Sequence, residues 1–298
     1  MRTIAIVNPS AGGGRGEARA KELCERIRAA TPATPLEVWT TTGPGEATHL
    51  ARRARDEGAH LVIAAGGDGT VFEVVNGLLA GRSAPLPALS VLATGTGNSF
   101  VRDVDLADPL AAVDAISAGR RRKVDVLRVV HTDGELYSIN LVSLGFSAEA
   151  GDLTNRRFKG LGVVGYISAV VASVARLHPR PFPFALDDGP PDERPVTLLS
   201  FCNSRFTGGA MMMAPDADPS DGLVDSVWIG PMNRRRFLSS FPKIFRGTHG
   251  RMHEVELRRA RSVRFTGDSP VPVMIDGEVR SLTLRAIEVL PGVLEVAT

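Results

Sequence analysis

Three short glycine-rich stretches carry the chemistry open to this sequence: NPSAGGGRG at Asn8–Gly16, GGDGT at Gly66–Thr70 and GTGNS at Gly95–Ser99. Glycine removes the side chain that keeps an anion away from backbone N–H groups, and a helix N-terminus behind it adds partial positive charge. One such stretch alone reads most simply as a tight turn. Three, each following a strand, describe a cradle for phosphate. Asp68 stands inside the second stretch. A carboxylate beside phosphate is repelled unless a cation or a proton transfer intervenes, so its functional reading is contact with the Mg²⁺ of a nucleotide, directly or through water. The alternative is an Asx-type role in its own turn. Other phosphate and metal signatures are missing. There is no GxxxxGK[ST], no HRD or DFG set and no HExxH, and Glu17 stands where a Rossmann fingerprint takes Gly or Ala.

Two acidic stretches lie further on. MAPDADPSDGLVD places Asp216, Asp218, Asp221 and Asp225 close together. Such spacing suits a hard cation, although it is not an EF-hand loop, and a solvated acidic turn is the alternative. VMIDGEV (Val273–Val279) pairs Asp276 with Glu278. Two residues apart on a strand, they would face one way and offer a general base. Asp-Gly between apolar runs is equally a hairpin signal.

The elements that must position these residues change character along the chain. Up to residue 123, strands at Thr3–Asn8, Leu36–Thr41, Leu61–Ala65 and Ala88–Thr94 alternate with helical patterns, one of them expected to start near Val71. That alternation predicts a parallel sheet covered by helices, with ligands at the carboxyl ends of its strands. Residues 124–298 read as short β-rich runs separated by Gly, Pro, Asp and Asn, which predicts a mostly antiparallel domain such as a sandwich, interrupted by one helix near Leu161–Leu177.

With 298 residues, 43% hydrophobic and 23% charged, the chain has material for two cores. A net charge of +2 does not point to a nucleic-acid binder, but arginine clusters at Gly119–Lys123, Asn233–Phe237 and Glu256–Arg264 suit phosphate or anionic lipid, if they are not simply solubilising. Cys24 and Cys202 form no disulfide framework or CxxC pair, which fits a reducing cytoplasm. The uncharged run Leu161–Ala175 is shorter than the roughly 20 residues that cross a bilayer, and the apolar N-terminal run before Pro9 is too short for a signal peptide.

Taken together, NPSAGGG, GGDGTVFEVVNGL, LATGTGNSF, TGGAMMMAPDADPSDGLVDS and IDGE resemble the diacylglycerol kinase catalytic-domain family, which includes bacterial soluble lipid kinases and sphingosine and ceramide kinases and is distantly similar to NAD kinase and phosphofructokinase. The resemblance runs over essentially the whole chain. It implies an α/β ATP-binding domain (1–123) followed by a β-sandwich domain (124–298), with the last strand returning to the first domain. It implies transfer of the γ-phosphate of ATP to a hydroxyl of a membrane lipid, diacylglycerol or a sphingoid lipid, and so a place in lipid metabolism and phospholipid biosynthesis. ATP contacts are implied at Asn8, Thr41, Gly66, Gly67, Asp68, Gly69, Thr70, Val71, Phe72 and Thr96. A structural Mg²⁺ is implied on the Asp221 carboxylate and carbonyls near Asp218 and Leu223. Asp276 is implied as base with Glu278 orienting it or touching the nucleotide, the two roles being exchangeable, and Asp125 as a link from Asp68 to metal through water. The expected location is cytoplasmic with peripheral attachment to an anionic membrane surface; Arg156, Arg157 and Lys159 before Leu161–Ala175, and Met211–Met213, are candidates for a lipid entrance, a core role being the alternative. No nucleic-acid partner is expected, and oligomeric state is not readable. One departure stands out: many bacterial members carry Asn-Asp where this chain has Asn98-Ser99. Two other readings compete: a kinase of a soluble alcohol of NAD-kinase type, and a non-catalytic lipid- or nucleotide-binding regulator.

Overall fold

The computed structural model describes residues 2–81, 85–95, 97–150, 173–174 and 177–298. The chain divides into two compact units, Met1–Val124 with Gly292–Thr298, and Asp125–Pro291.

In the first unit, β1 (Thr3–Val7), β2 (Leu36–Thr40), β3 (Leu61–Gly66) and β4 (Ala88–Ala93) pair in parallel in the order β2-β1-β3-β4. Every residue of β1, β3 and β4 is buried, whereas edge strand β2 alternates. Continuous apolar runs such as LVIAAG suit strands covered on both faces. The C-terminal residues continue the sheet: Val296 pairs in parallel with Leu89, and the Ala297 N–H donates to the Leu89 carbonyl. The connections are a single turn, α1 (Ala11–Gly14), and the helices α2 (Gly16–Ala30), α3 (Glu46–Asp56), α4 (Asp68–Leu79) and α5 (Pro109–Ala118).

Helix α4 begins three residues before its expected start at Val71, because Gly67 serves as its N-cap and the glycine loop itself winds into the first turn. It is fixed against α3 at both ends. The Glu73 carboxylate accepts from the N–H groups of Gly45 (2.8 Å) and Ala47 (3.1 Å) at the start of α3, and the buried Arg55 guanidinium of α3 donates to the carbonyls of Leu78 and Ala80, both at 2.9 Å, at the end of α4. Between them, a Cβ on Gly77 would lie 2.3 Å from the Thr48 carbonyl oxygen, so the two helices touch backbone to backbone. Helix α5 was not expected from the sequence, yet it carries ordinary signals: Asp108 caps Leu110 N–H at 3.0 Å, Pro109 opens it and Gly119 closes it at φ 67°.

The second unit is a sandwich. One sheet is antiparallel in the order Val255–Ala260, Val224–Ile229, Leu198–Cys202, β7 (Leu141–Gly145), Val271–Ile275, Glu278–Leu282. Opposite it, Phe184–Leu186 pairs antiparallel with Ser262–Phe265, which pairs with Leu284–Val296; β5 (Arg122–His131) and β6 (Gly134–Ser138) continue on that side. Phe184 and Phe265 meet Phe201 of the first sheet edge to face, with ring centroids at 5.5 and 5.6 Å. The helix expected near Leu161–Leu177, and with it Arg156, Arg157, Lys159 and most of the Leu161–Ala175 run, lies outside the described residues. Among the described residues no helix is long and apolar enough to cross a membrane.

Candidate active site

The three glycine loops converge in the first unit, and each pair of them is joined. Asn8 of the first loop donates from Nδ2 to Thr70 Oγ1 of the second at 3.0 Å. Ser99 of the third donates to Asp68 of the second twice, from its N–H to Oδ1 at 2.7 Å and from its hydroxyl to Oδ2 at 3.2 Å. The first and third touch at Gly12, where a Cβ would lie 2.5 Å from the Thr94 carbonyl oxygen. Two further glycines are sterically required: a Cβ on Gly66 would sit 2.2 Å from Thr70 Oγ1, and one on Gly95 would sit 2.4 Å from Gly67 Cα. Backbone therefore lines this end of the sheet, as anion binding by N–H groups needs.

Of the expected nucleotide contacts, Asn8, Gly66, Gly67, Asp68, Gly69 and Thr70 come together here. Thr41 caps β2 beside them, its N–H donating to the Val7 carbonyl at 2.9 Å. Val71 and Phe72 are buried, so only their backbone could serve a ligand. Thr96 lies outside the described residues. A neighbour was overlooked in the sequence: Thr94, at the end of β4, is buried, and its Oγ1 has no hydrogen-bond partner among the described residues. Its place in the LATGTGNS motif was the available signal. The Ser99 hydroxyl makes a donor contact to Asp68 that a carboxylate at this position would not make.

In the second unit, Asp276 and Glu278 do not share a strand face. Ile275 pairs directly with Glu278, leaving Asp276 and Gly277 as the two central residues of a hairpin turn with φ of 49° and 95°. Positive φ at both is the type I′ pattern, so the turn chemistry overrides the expected alternation. The Asp276 carboxylate is nevertheless far from a solvated turn side chain. It is buried, and it accepts from the Ser138 hydroxyl (2.6 Å), Asn140 N–H (3.0 Å) and Leu141 N–H (3.0 Å) at Oδ1, and from Ile139 N–H (2.9 Å) at Oδ2. Burial raises its pKa above the ordinary carboxylate value, and these four donors pull the other way. No spacing rule marks YSINL as the cradle; only the fold brings it there. Glu278 is half-buried at the foot of the turn.

The acidic loop closes on itself. Asp218 Oδ1 accepts from the Ser220 N–H (3.0 Å) and hydroxyl (2.7 Å), and Asp221 Oδ1 from the Leu223 N–H (3.0 Å). Arg259 supplies the positive charge: it donates to Asp225 at 3.1 Å and to the Asp216 carbonyl at 2.5 Å, and stands 4.0 Å from Asp221. Burial raises the pKa of Asp225, with Arg259 opposing. Among the described residues no group of three or more His, Cys, Asp or Glu is set to hold a metal. The Mg²⁺ expected on the Asp221 carboxylate and the carbonyls near Asp218 and Leu223 would use oxygen donors of this loop, and Arg259 hydrogen-bonds Asp225 and the Asp216 carbonyl rather than the Asp221 carboxylate. Asp125, implied as a link from Asp68 to metal through water, is also joined to this loop: its Oδ2 accepts from Gly222 N–H at 2.6 Å and its N–H donates to Pro219 O at 2.7 Å.

Comparison with known proteins agrees with this two-part organisation. Residues 2–129 match the diacylglycerol kinase catalytic domain, and residues 140–298 match the YegS C-terminal NAD kinase beta sandwich-like domain. The chain belongs to the diacylglycerol kinase family of lipid kinases. A Mycobacterium tuberculosis protein named diacylglycerol kinase is 30% identical over 300 residues, covering 99% of this chain and 94% of its own. The Bacillus subtilis diacylglycerol kinase is 29% identical over 283 residues, covering 93% and 89%. A YegS-like lipid kinase relative from Xanthomonas euvesicatoria is 28% identical over 268 residues, covering 88% and 86%. A solved chain from Bacillus anthracis superposes with a TM-score of 0.83 at 24% identity, covering 99% of this chain and 94% of that one, a likeness of fold.

Proposed function

We propose that the protein is an ATP-dependent kinase that transfers the γ-phosphate to a hydroxyl of a membrane lipid. The observation that carries this reading is the joining of three glycine loops around Asp68 at one end of a parallel sheet. Family membership supports kinase chemistry on a lipid, and the names of the relatives favour diacylglycerol over a soluble alcohol. The loop N–H groups would hold the phosphates, and Asn8 and Ser99 fix the two side chains, Thr70 and Asp68, that face them. Asp68 is an oxygen donor of the type that Mg²⁺ takes, and such an ion neutralises charge on the transferring phosphoryl group when bound. On the lipid side, Asp276 or Glu278 would accept the hydroxyl proton. Asp276 Oδ2 takes one donor and so keeps acceptor capacity, and the upward push of burial on its pKa makes the ionised carboxylate a stronger proton acceptor.

The test is phosphate transfer from labelled ATP to diacylglycerol, sphingosine, ceramide and NAD, with the lipids presented in anionic and in neutral vesicles. Lipid labelling that is strongest on anionic vesicles and weakens with salt is expected, the arginine clusters supplying the attraction. Asp68→Asn keeps an acceptor for the Ser99 N–H but loses the charge; turnover should fall at least about a hundredfold, the scale for losing one preorganised charged group, with the melting temperature preserved. Labelling of NAD alone, or full turnover in Asp68→Asn, overturns the reading.

A further inference from the structure

The segment that holds Asp276 is itself gripped from behind. Strand Leu198–Cys202 pairs with β7 as far as Cys202 opposite Leu141, and the two residues that follow it, Asn203 and Ser204, close on the cradle. Asn203 donates from Nδ2 to the Ile139 carbonyl at 2.9 Å. The backbone N–H groups of Asn203 (2.7 Å) and Ser204 (3.2 Å) both donate to the Asn140 carbonyl. These two carbonyls belong to the peptide units whose N–H groups, on Asn140 and Leu141, donate to Asp276 Oδ1, each at 3.0 Å. A peptide unit is planar, and its C=O and N–H point opposite ways. Each unit is therefore fixed at both ends, by the Asn203–Ser204 pair on one side and by the carboxylate on the other.

The asparagine is held by its donors alone. Its second Nδ2 bond goes to the Asp125 carbonyl, also at 2.9 Å. Carbonyls only accept, so both positions must face the NH₂ group and the amide has one orientation. Its own Oδ1 is buried and has no hydrogen-bond partner among the described residues. Donation into a peptide C=O polarises the unit and strengthens donation by the N–H at its far end. The consequence falls on one oxygen of the Asp276 carboxylate. Oδ1 takes three donors, the Ser138 hydroxyl and the N–H groups of Asn140 and Leu141, which saturate it. Oδ2 takes only the Ile139 N–H, from the preceding peptide unit.

We propose that Asn203 is a positioning residue for the base: through two peptide units it pins Asp276 Oδ1, so that Oδ2 is the atom left to the substrate. As the lipid oxygen bonds to the γ-phosphorus and ADP leaves, the hydroxyl proton passes to Oδ2. Asn203 is only 1% exposed, so it acts through Asp276 and not on the substrate. Its action on Asp276 rests on these bonds alone; the catalytic value of that action rests on the kinase reading with Asp276 as base.

The experiment is a pair of double-mutant cycles on the full chain, crossing Asn203→Leu with Asp276→Asn. Leucine has the branched shape of asparagine and neither donor, while the backbone N–H to Asn140 remains. One cycle is read as stability in denaturant. The other is read as transfer from ATP to 1,2-dioleoylglycerol, per folded molecule. Asn203→Leu should lower the melting temperature by several degrees and lower kcat about ten- to a hundredfold, the scale for a misplaced reacting group, with KM for ATP and for lipid unchanged. In the Asp276→Asn background it should cost little further rate, because both changes act through one carboxylate. Ser200→Ala is the control. It breaks the buried Ser143–Ser200 hydroxyl pair (2.6 Å) in the same strand, so it should lower the melting temperature and leave kcat per folded molecule alone. If Asn203→Leu fails to fold, Asn203→Ser, which keeps one hydroxyl donor, carries both cycles with smaller effects of the same sign. Unchanged kcat in the folded Asn203 variant, beside a lost kcat in Asp276→Asn, overturns the proposal, as do effects that multiply in the double variant. If the wild type transfers nothing, or Asp276→Asn keeps full turnover, the reading of Asp276 as a kinase base falls instead. The stability cycle then decides the rest: losses that fail to add uphold the action of Asn203 on Asp276, and additive losses overturn it.

Discussion

At the scale of single residues, carboxylates do different work according to what surrounds them. Asp68 is half-buried and accepts two bonds from Ser99. Asp276 is buried under four donors. Its replacement therefore tests stability as well as chemistry. Asp276→Asn puts an amide NH₂ against the donors at one oxygen, and a buried donor left facing another costs about 1–3 kcal/mol. The melting temperature should fall by several degrees, at roughly 2–4 °C per kcal/mol for a chain of this class. Turnover should fall further than that loss explains, by about 10²–10⁴-fold if Asp276 is the base. Glu278→Gln, at a half-buried position, should leave the melting temperature alone. A calorimetric scan beside single-turnover transfer at saturating ATP separates the two. Full turnover in a folded Asp276→Asn would move the base to Glu278.

At the scale of elements, the acidic loop gathers four aspartates within ten residues, and Arg259 reaches in from the neighbouring strand Val255–Ala260 to Asp225. Two outcomes follow from that arrangement. If Asp221 holds a Mg²⁺, the wild-type melting temperature should be lower in EDTA than in excess Mg²⁺, and Asp221→Ala should remove the difference. Arg259→Met should lower the melting temperature, because a carboxylate as buried as Asp225 loses its partner, a change on the scale of about 3–5 kcal/mol for a fully buried pair and less for one with an exposed arginine, as here. An identical wild-type melting temperature in EDTA and in excess Mg²⁺ would rule out a structural metal on Asp221.

At the scale of the whole molecule, charge is nearly balanced at +2, and much of the arginine is spent internally. Arg236 pairs with Glu254 at 2.7 Å, and Arg258 pairs with Glu256. The stability of the whole fold should carry the signature of His249. Its folded pKa lies below the ordinary 6.5 because burial disfavours the charged ring. As pH falls through about 6.5, the unfolded chain takes up a proton that the folded chain does not, so stability falls with acidification until the folded value is passed. Thermal melts between pH 8 and pH 5 should show this decline, and His249→Gln should lack that component of it. An identical pH dependence in both proteins would show that His249 titrates normally in the fold.

Much of the plan was legible because it is local. The change from strand–helix alternation to short β-rich runs announced two kinds of sheet, since side-chain period and turn residues report directly on backbone conformation. The glycine loops were legible for the same reason: a residue without a side chain marks where backbone must come close, as Gly66 does against Thr70. What sequence order could not supply was the set of partners chosen across long separations. Asp276 and its cradle at Ser138–Leu141 lie well over a hundred residues apart, and Asp125 meets Gly222 across 97; Arg259 meets Asp225 because antiparallel strands set them opposite each other. The same holds for Ser240 and His249, which no motif joins and which meet only as the wall of one pocket. Residue type and spacing determined which groups this protein could use; the packing of distant segments decided which of them are held, neutralised or left without a partner, because burial and hydrogen bonding depend on the contacts of the folded chain and not on neighbours in sequence.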